Sequence, residues 1–518
     1  MNLSFIFTDH MVLQADLPIR IFGEGKGRAE VSFCGKYGAA ESDGGKWVVT
    51  LPAMPYGGPY EMTVTMNGEE TVLRDVYIGE VWFAGGQSNM EMPLFAIENG
   101  FEFAKHSEND MLRLFTVPRR TQKDTRLSGW HFNNNPEIES PWQICEESSV
   151  LNFSALGYLA AKQLQERLGV AVGVISCNYG GTMIEPWVDE RYLCEDVALK
   201  PIIDAAEAAY DKLDMDSYMT QYRLACEKCN AHSDADQNDY IEKTREIGVR
   251  AGILFPAIDG FTPLPEGPYH TKAPAVLFHA MTERIVPYGF RGVMWYQGES
   301  NAGENYCKKY LAYMRCMKDV FQNPDLKFYA MELASFGYAW KDGTTIVTDN
   351  MPVEDTAWHN YAFTREQQYM AARLAPDNYV VTTMELGDVN NIHSVLKAQM
   401  AHRLALMILK YSYGFDLQAD QPVAVGAEFR DGKAFITVEH GDGLFSHYPT
   451  AVDIFVGDES GMVKKAEIEF QDNVMILSHP EIKQPTFARY AFDRSYLGRH
   501  IYNAAGLPLA PFRTDHPV

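Results

Sequence analysis

The sequence predicts an α/β protein, a parallel sheet laid down by alternating strands and helices, with a small β-rich module at each end. Three observations predict it. Between about residues 77 and 414, short β-branched or aromatic runs alternate with longer amphipathic stretches, the rhythm of strand–helix–strand units. Before and after that span the apolar period is two and glycine-bearing breaks are frequent. Polar, glycine-rich loops follow several of the central strands, at the carboxyl ends where open parallel sheets bind ligands.

At 518 residues and 46% apolar composition, the chain can bury more than one core, so two or three domains are expected. Residues 1–76 read as an all-β module. Its strands are Ile19–Phe22, Ala29–Phe33, Lys46–Leu51 and Tyr60–Thr65, separated by turns such as Asp43-Gly44-Gly45 and Asn67-Gly68. In the central domain, 77–414, the expected strands are Val81–Ala84, Leu112–Val117, Ala171–Ser176, Gly292–Tyr296, Lys327–Met331 and Tyr379–Thr383. Helices are expected over Ala155–Leu168, Tyr306–Phe321 and Val395–Lys410, where apolar residues recur three and four apart. A charged, helix-like segment (Asp204–Glu246) and a Pro/Gly-rich one (Pro256–Pro274) break the rhythm, so about 190–275 reads as an insertion near the mouth of the site. Strands return after 415 with Lys433–Val438 and Ala451–Val456, a second β module over 415–518.

The 69 Asp and Glu against 45 Lys and Arg give a formal charge of −24, which repels phosphate backbones and anionic headgroups. Nucleic acid and membrane are excluded as expected partners, and neutral sugars are favoured over strongly anionic ligands. No uninterrupted apolar run reaches the roughly 18 residues a membrane span needs. Met1–His10 has no basic start and no long apolar stretch before Asp9, so a cytoplasmic protein is expected, although a trimmed secreted chain would read the same. Eight cysteines at irregular spacing make no disulfide framework. Cys226-Glu227-Lys228-Cys229 has neither a second pair nor histidine partners, and His279 and His359 lie in no ligand spacing. No metal or cofactor is expected, and nothing bounds the oligomeric state.

Chemistry is concentrated at four strand ends. Gly85-Gly86-Gln87-Ser88-Asn89-Met90 follows the first central strand and presents one hydroxyl, which would need a base and an oxyanion site to act as nucleophile. Asn178-Tyr179-Gly180-Gly181-Thr182 brings glycines that let a backbone N–H approach a reacting centre. Gln297-Gly298-Glu299-Ser300-Asn301 brings a side-chain amide suited to an oxyanion. Gly387-Asp388-Val389-Asn390-Asn391-Ile392-His393 brings an imidazole.

These blocks are specific enough to name. Val81–Leu94, with its Gly-Gly-Gln-Ser-Asn-Met core, resembles the nucleophile block of the sialate O-acetylesterase family. Gly180–Trp187, Gly292–Asn301, Arg365–Gln368, Tyr502–Arg513 and Asp9–Gln14 are similar to that family's other signatures, and the match is weakest between 190 and 275. The resemblance implies an SGNH-hydrolase three-layer α/β/α catalytic domain acting on O-acetylated mono- or oligosaccharides without a cofactor. By the same resemblance Ser88 is the nucleophile and His393 the base. The oxyanion hole is formed by the Ser88 amide, a Gly180 or Gly181 amide and Gln297. Glu299 and Asn301 brace the site. Trp187 and Trp295 either touch the sugar or belong to the core.

Two positions depart from the pattern. Where many such hydrolases place Asp three residues before the histidine, this chain has Asn390. The orienting group is then either Asp388, a triad, or a backbone carbonyl, a Ser–His dyad. Ser394 stands where Pro commonly follows the histidine, and serine is a competent helix cap. The implied substrate is O-acetyl sialic acid, with acetylated xylan, mannan or xyloglucan fragments as the rival within enzymes. A sugar-binding relic that has lost catalysis is the rival from another class. No apolar lid segment supports a lipase.

Overall fold

The computed structural model describes residues 2–122, 125–126, 141–230, 241–246, 264–301, 305–337, 340–341, 344–345 and 360–515. The chain divides into two compact units, residues 1–300 with 308–328, and residues 301–307 with 329–518.

The first unit is built on a single long strand. β1 (Ile19–Phe33) pairs antiparallel with β2 (Lys36–Leu51) and with β3 (Gly57–Met66). A turn at Asn67-Gly68, both at positive φ, returns β3 into β4 (Glu69–Gly86). The first half of β4 completes this antiparallel sheet. Its second half is the centre of a parallel one, beside β5 (Asn109–Thr116), β6 (Val172–Asn178) and β7 (Gly292–Tyr296), in the order β5-β6-β4-β7. The last nine residues of β4, Ile78–Gly86, are all buried, as expected of a strand covered on both faces. The boundary expected between 76 and 77 therefore falls inside one continuous 18-residue strand.

The expected break at Asp43-Gly44-Gly45 is also absent, because β2 runs through it. The glycines instead form a bulge: Glu24 pairs with Lys46 and Lys26 with Asp43, so Gly25 faces both Gly44 and Gly45, with Gly25 and Gly44 at positive φ.

Helix Ala155–Leu168 forms as the periodicity predicts. Ser154 accepts the Gly157 N–H at 3.1 Å, and Gly169 closes the helix in the left-handed region. Trp82, Trp142, Trp187 and Trp295 are fully buried and anchor the core of this unit. In the insertion, helices form at Glu190–Cys194, Lys200–Tyr210 and Met215–Asn230, with Cys226 buried beside Tyr222. The first eight residues of the Pro/Gly-rich stretch, 256–263, lie outside the described residues, as do His359 and the Cys229 side chain.

In the second unit, strand Asn378–Val381 pairs with the strand that ends at Met331, between helices Asn360–Leu374 and Lys397–Tyr413. Two four-stranded antiparallel sheets follow, the second β module expected after 415. Ile436, Val438, Ile454, Val456, Met475, Leu477 and Tyr490 share their core. Each such side chain contributes about 1.5–3 kcal/mol on full burial. No helix among the described residues is long and apolar enough to cross a membrane.

Candidate active site

Three of the four chemical loops meet in the first unit because the strands that carry them are in register. Gly86 stands level with Asn178 on one side and Tyr296 on the other. The Gly86 carbonyl accepts the Tyr179 N–H at 3.1 Å, and the Gln87 N–H donates to the Tyr296 carbonyl at 3.0 Å. Only glycine fits at 86: φ is +139°, and a Cβ would lie 2.1 Å from the Tyr296 oxygen. The turn then feeds α1, Ser88–Glu91. Within it Gln87, Asn89 and Met90 are 2%, 1% and 0% exposed while Ser88 and Glu91 each keep 9%, and of these two the Glu91 carboxylate is engaged by Arg119.

The side chains around Ser88 tie this turn to its neighbours. Gln87 Oε1 accepts from Gln297 Nε2 at 3.2 Å, from the Ser300 N–H at 3.3 Å and from the Gly298 N–H at 3.4 Å. Asn89 Nδ2 donates to Glu299 Oε1 at 2.5 Å. Glu91 forms a buried ion pair with Arg119, whose Nε donates to the Asn178 carbonyl at 3.2 Å and whose guanidinium lies over the Tyr179 ring. Burial pulls the Arg119 pKa down, and Glu91 opposes that shift. Ser154 Oγ donates to the Met90 carbonyl at 2.6 Å, linking the start of helix Ala155–Leu168 to the same turn.

Gln297 is fully buried, and its Nε2 also donates to the Thr182 carbonyl at 3.2 Å. Gly181 is exposed at φ +71°, with open space where a Cβ would be, and Gly180 beside it is half-buried. Thr182 Oγ1 donates to the Tyr179 carbonyl and accepts the Trp187 indole N–H, which closes the glycine loop on itself. Trp187 and Trp295 meet edge to face in the core, and Trp295 packs on Tyr310 and Tyr313. At 1% and 0% exposure neither offers a face to a sugar, which leaves them the core role. His279, half-exposed between Glu190 and Glu283, is an ion-pair histidine.

The remaining predicted residues lie in the second unit. Asn301 is buried, and its carbonyl accepts from Thr364 Oγ1. Asp388 Oδ1 accepts the Asn390 N–H at 2.8 Å, and among the described residues the carboxylate has that one partner. Asn391 Oδ1 accepts the His393 N–H at 2.9 Å. Both are Asx turns, local bonds that shape the loop around the half-buried imidazole. Ser394 accepts the Leu396 N–H, a turn just ahead of helix Lys397–Tyr413. Arg365 is fully buried and holds the carbonyls of Leu333, Asp493 and Arg494, while Glu366 pairs both its oxygens with Arg513. Two of the resembling blocks are thereby joined.

The sequence reading missed Gln87 and Arg119. The motif contained Gln87, but its partners lie more than 200 positions away, and nothing near Arg119 in sequence points to the site.

No family model matches the chain. It is 24% identical over 390 residues to the sialate O-acetylesterase of Rattus norvegicus, a match covering 71% of this chain and 64% of the relative. To the Homo sapiens sialate O-acetylesterase it is 22% identical, covering 71% and 61%. The match thus spans less than two thirds of those relatives' length. The crystal structure of a carbohydrate acetylesterase from Xanthomonas citri matches over 100% of both chains, with 26% identity and a TM-score of 0.75. By its full-length structural match and by these relatives, the chain is similar to sialate O-acetylesterases and to a carbohydrate acetylesterase.

Proposed function

We propose that this chain is a serine esterase that removes O-acetyl groups from a carbohydrate. The observation that carries the reading is the register of three strand ends. It sets Ser88, 9% exposed, at a tight turn beside an open glycine loop and a buried amide. The catalytic domain is read as the SGNH three-layer type built on the parallel sheet that β4 enters, with β-rich parts on either side in the chain.

In the mechanism, His393 takes the Ser88 hydroxyl proton as Oγ attacks the acetyl carbonyl carbon. The tetrahedral oxyanion is held by the Ser88 N–H, a Gly180 or Gly181 N–H and the Gln297 amide, which reaches it by turning one N–H away from the Thr182 carbonyl. Collapse expels the sugar oxygen, which takes the proton from His393 and leaves acetyl-serine. Water, deprotonated by His393, attacks the acetyl carbon, and acetate leaves as Ser88 recovers its proton. The commitment of Asp388 to a turn supports the dyad over the triad.

O-acetyl sialic acid is the substrate that the named relatives favour. The full-length match to a carbohydrate acetylesterase supports acetylated neutral oligosaccharides as the second reading. The test is acetate release from 4-nitrophenyl acetate, 9-O-acetyl-N-acetylneuraminic acid and acetylated xylo- and manno-oligosaccharides, with Ser88→Ala in parallel. Release by the wild type alone is expected, and the preferred sugar decides between the two substrates. Silence of the folded wild type on all of them rejects the esterase in favour of a sugar-binding relic.

A further inference from the structure

We propose that Gln87 is a positioning residue for acyl transfer, holding the Gln297 amide and the 298–300 loop in place from the nucleophile turn itself. The inference rests on the esterase reading above and extends it to a residue that does not touch the reacting atoms.

Gln87 occupies the N-cap position of α1, with extended backbone angles, yet its side chain makes no capping bond. For local stability alone Asn, Asp or Ser would serve that position better, because their short side chains reach the helix amides. The longer side chain reaches across to the next strand end. There one oxygen collects three donors from a single loop: Gln297 Nε2, the Gly298 N–H and the Ser300 N–H. Gly298 lies at φ +146°, so its backbone takes the shape that turns these amides toward a common acceptor.

Two consequences follow for Gln297. Its amide orientation is defined, since the reversed amide would set its oxygen against both Gln87 Oε1 and the Thr182 carbonyl. Of its two Nε2 hydrogens, the one on Gln87 Oε1 fixes the amide plane, and the one on the Thr182 carbonyl is free to exchange for a developing oxyanion. Asn89 holding Glu299 adds a second tie between the same two segments. The residue before the nucleophile thus sets the position of the amide proposed to stabilise the transition state. Misplacing such a group by about 1 Å costs on the order of 10²-fold.

The test uses Gln87→Asn, which keeps the amide and improves the local cap but falls one methylene short of the 297–300 loop. The variant is expected to fold, to keep KM within about threefold and to lose about 10- to 100-fold in kcat. In a Gln297→Ala background the same change should cost less than about threefold, because the two residues act as a unit. Gln87→Glu, which keeps both length and acceptor, should stay within about tenfold of the wild-type kcat.

A kcat for Gln87→Asn within twofold of wild type overturns the proposal, as does a loss of the same size with and without Gln297. Should Gln87→Asn fail to fold, Gln87→Glu decides: a loss beyond about 100-fold overturns the role. An inactive wild type would instead reject the esterase reading itself.

Discussion

The turn that carries Ser88 and the loop that carries His393 are held in different ways. Around Ser88 the bonds are long-range and buried: Gln87 and Asn89 reach a loop more than 200 positions away, and Glu91 meets a buried arginine from another strand end. Around His393, two Asx turns spanning two residues each are backed by main-chain bonds to one neighbouring segment, the Asp388 N–H to the Ser335 carbonyl at 3.1 Å and the Gly337 N–H to the Val389 carbonyl at 3.0 Å. A nucleophile needs a fixed place relative to oxyanion donors on other strands, which only tertiary contacts supply. The loop of the base is fixed by main-chain bonds, within itself and to residues 335–337, where the serine turn is fixed by buried side chains.

Substitutions can break this contrast. The largest effect is expected at Gly86→Ala, where the new Cβ would meet the Tyr296 carbonyl at 2.1 Å and positive φ. A loss of more than about 4 kcal/mol in chemical denaturation is predicted, or no folded protein at all. A fully stable, active variant would mean that the strand-end register is not fixed as described. Next, Arg119→Met leaves the Glu91 carboxylate buried without its partner and should cost about 3–5 kcal/mol. A loss under 1 kcal/mol would show that the pair is not the tie it is taken for. At the small end, Asp388→Asn keeps an oxygen acceptor for the Asn390 N–H, and activity is predicted to stay within about twofold across pH because no charge of Asp388 is used. A fall of about 10⁴-fold, the cost of losing a triad carboxylate elsewhere, would restore Asp388 as orienting group.

Much of this was legible in the sequence where local pattern decides. Helix Ala155–Leu168 forms as read, because apolar spacing, Ser154 and Gly169 all act within the segment. Strand Gly292–Tyr296 likewise forms as read, bounded by glycine on one side and a polar loop on the other. The glycine turn at Ser88 was visible because only glycine tolerates the close approach at position 86.

Where pairing across space decides, the reading failed or stayed open. Asp43-Gly44-Gly45 has the composition of a turn, but the ladder with β1 continues past it and leaves the glycines as a bulge. The apolar run through Val76 and Ile78 into Val81–Ala84 has no composition break where antiparallel pairing gives way to parallel. Trp187 and Trp295 could not be divided between core and sugar contact until their burial was known.

β4 acts as a ruler. It runs 18 residues, through a bulge between Leu73 and Val76 where Asp75 takes positive φ, with a hairpin turn at one end and the serine turn just beyond the other. Beyond that bulge successive side chains alternate faces, so adding or deleting one residue between Val76 and Gly86 would invert the inside and outside of the positions that follow. The lengths of the segments upstream of Ser88 are therefore constrained by the reaction centre, though none of those residues is proposed to touch substrate. Change in this part of the chain is tolerated in steps of two, or beside a compensating bulge.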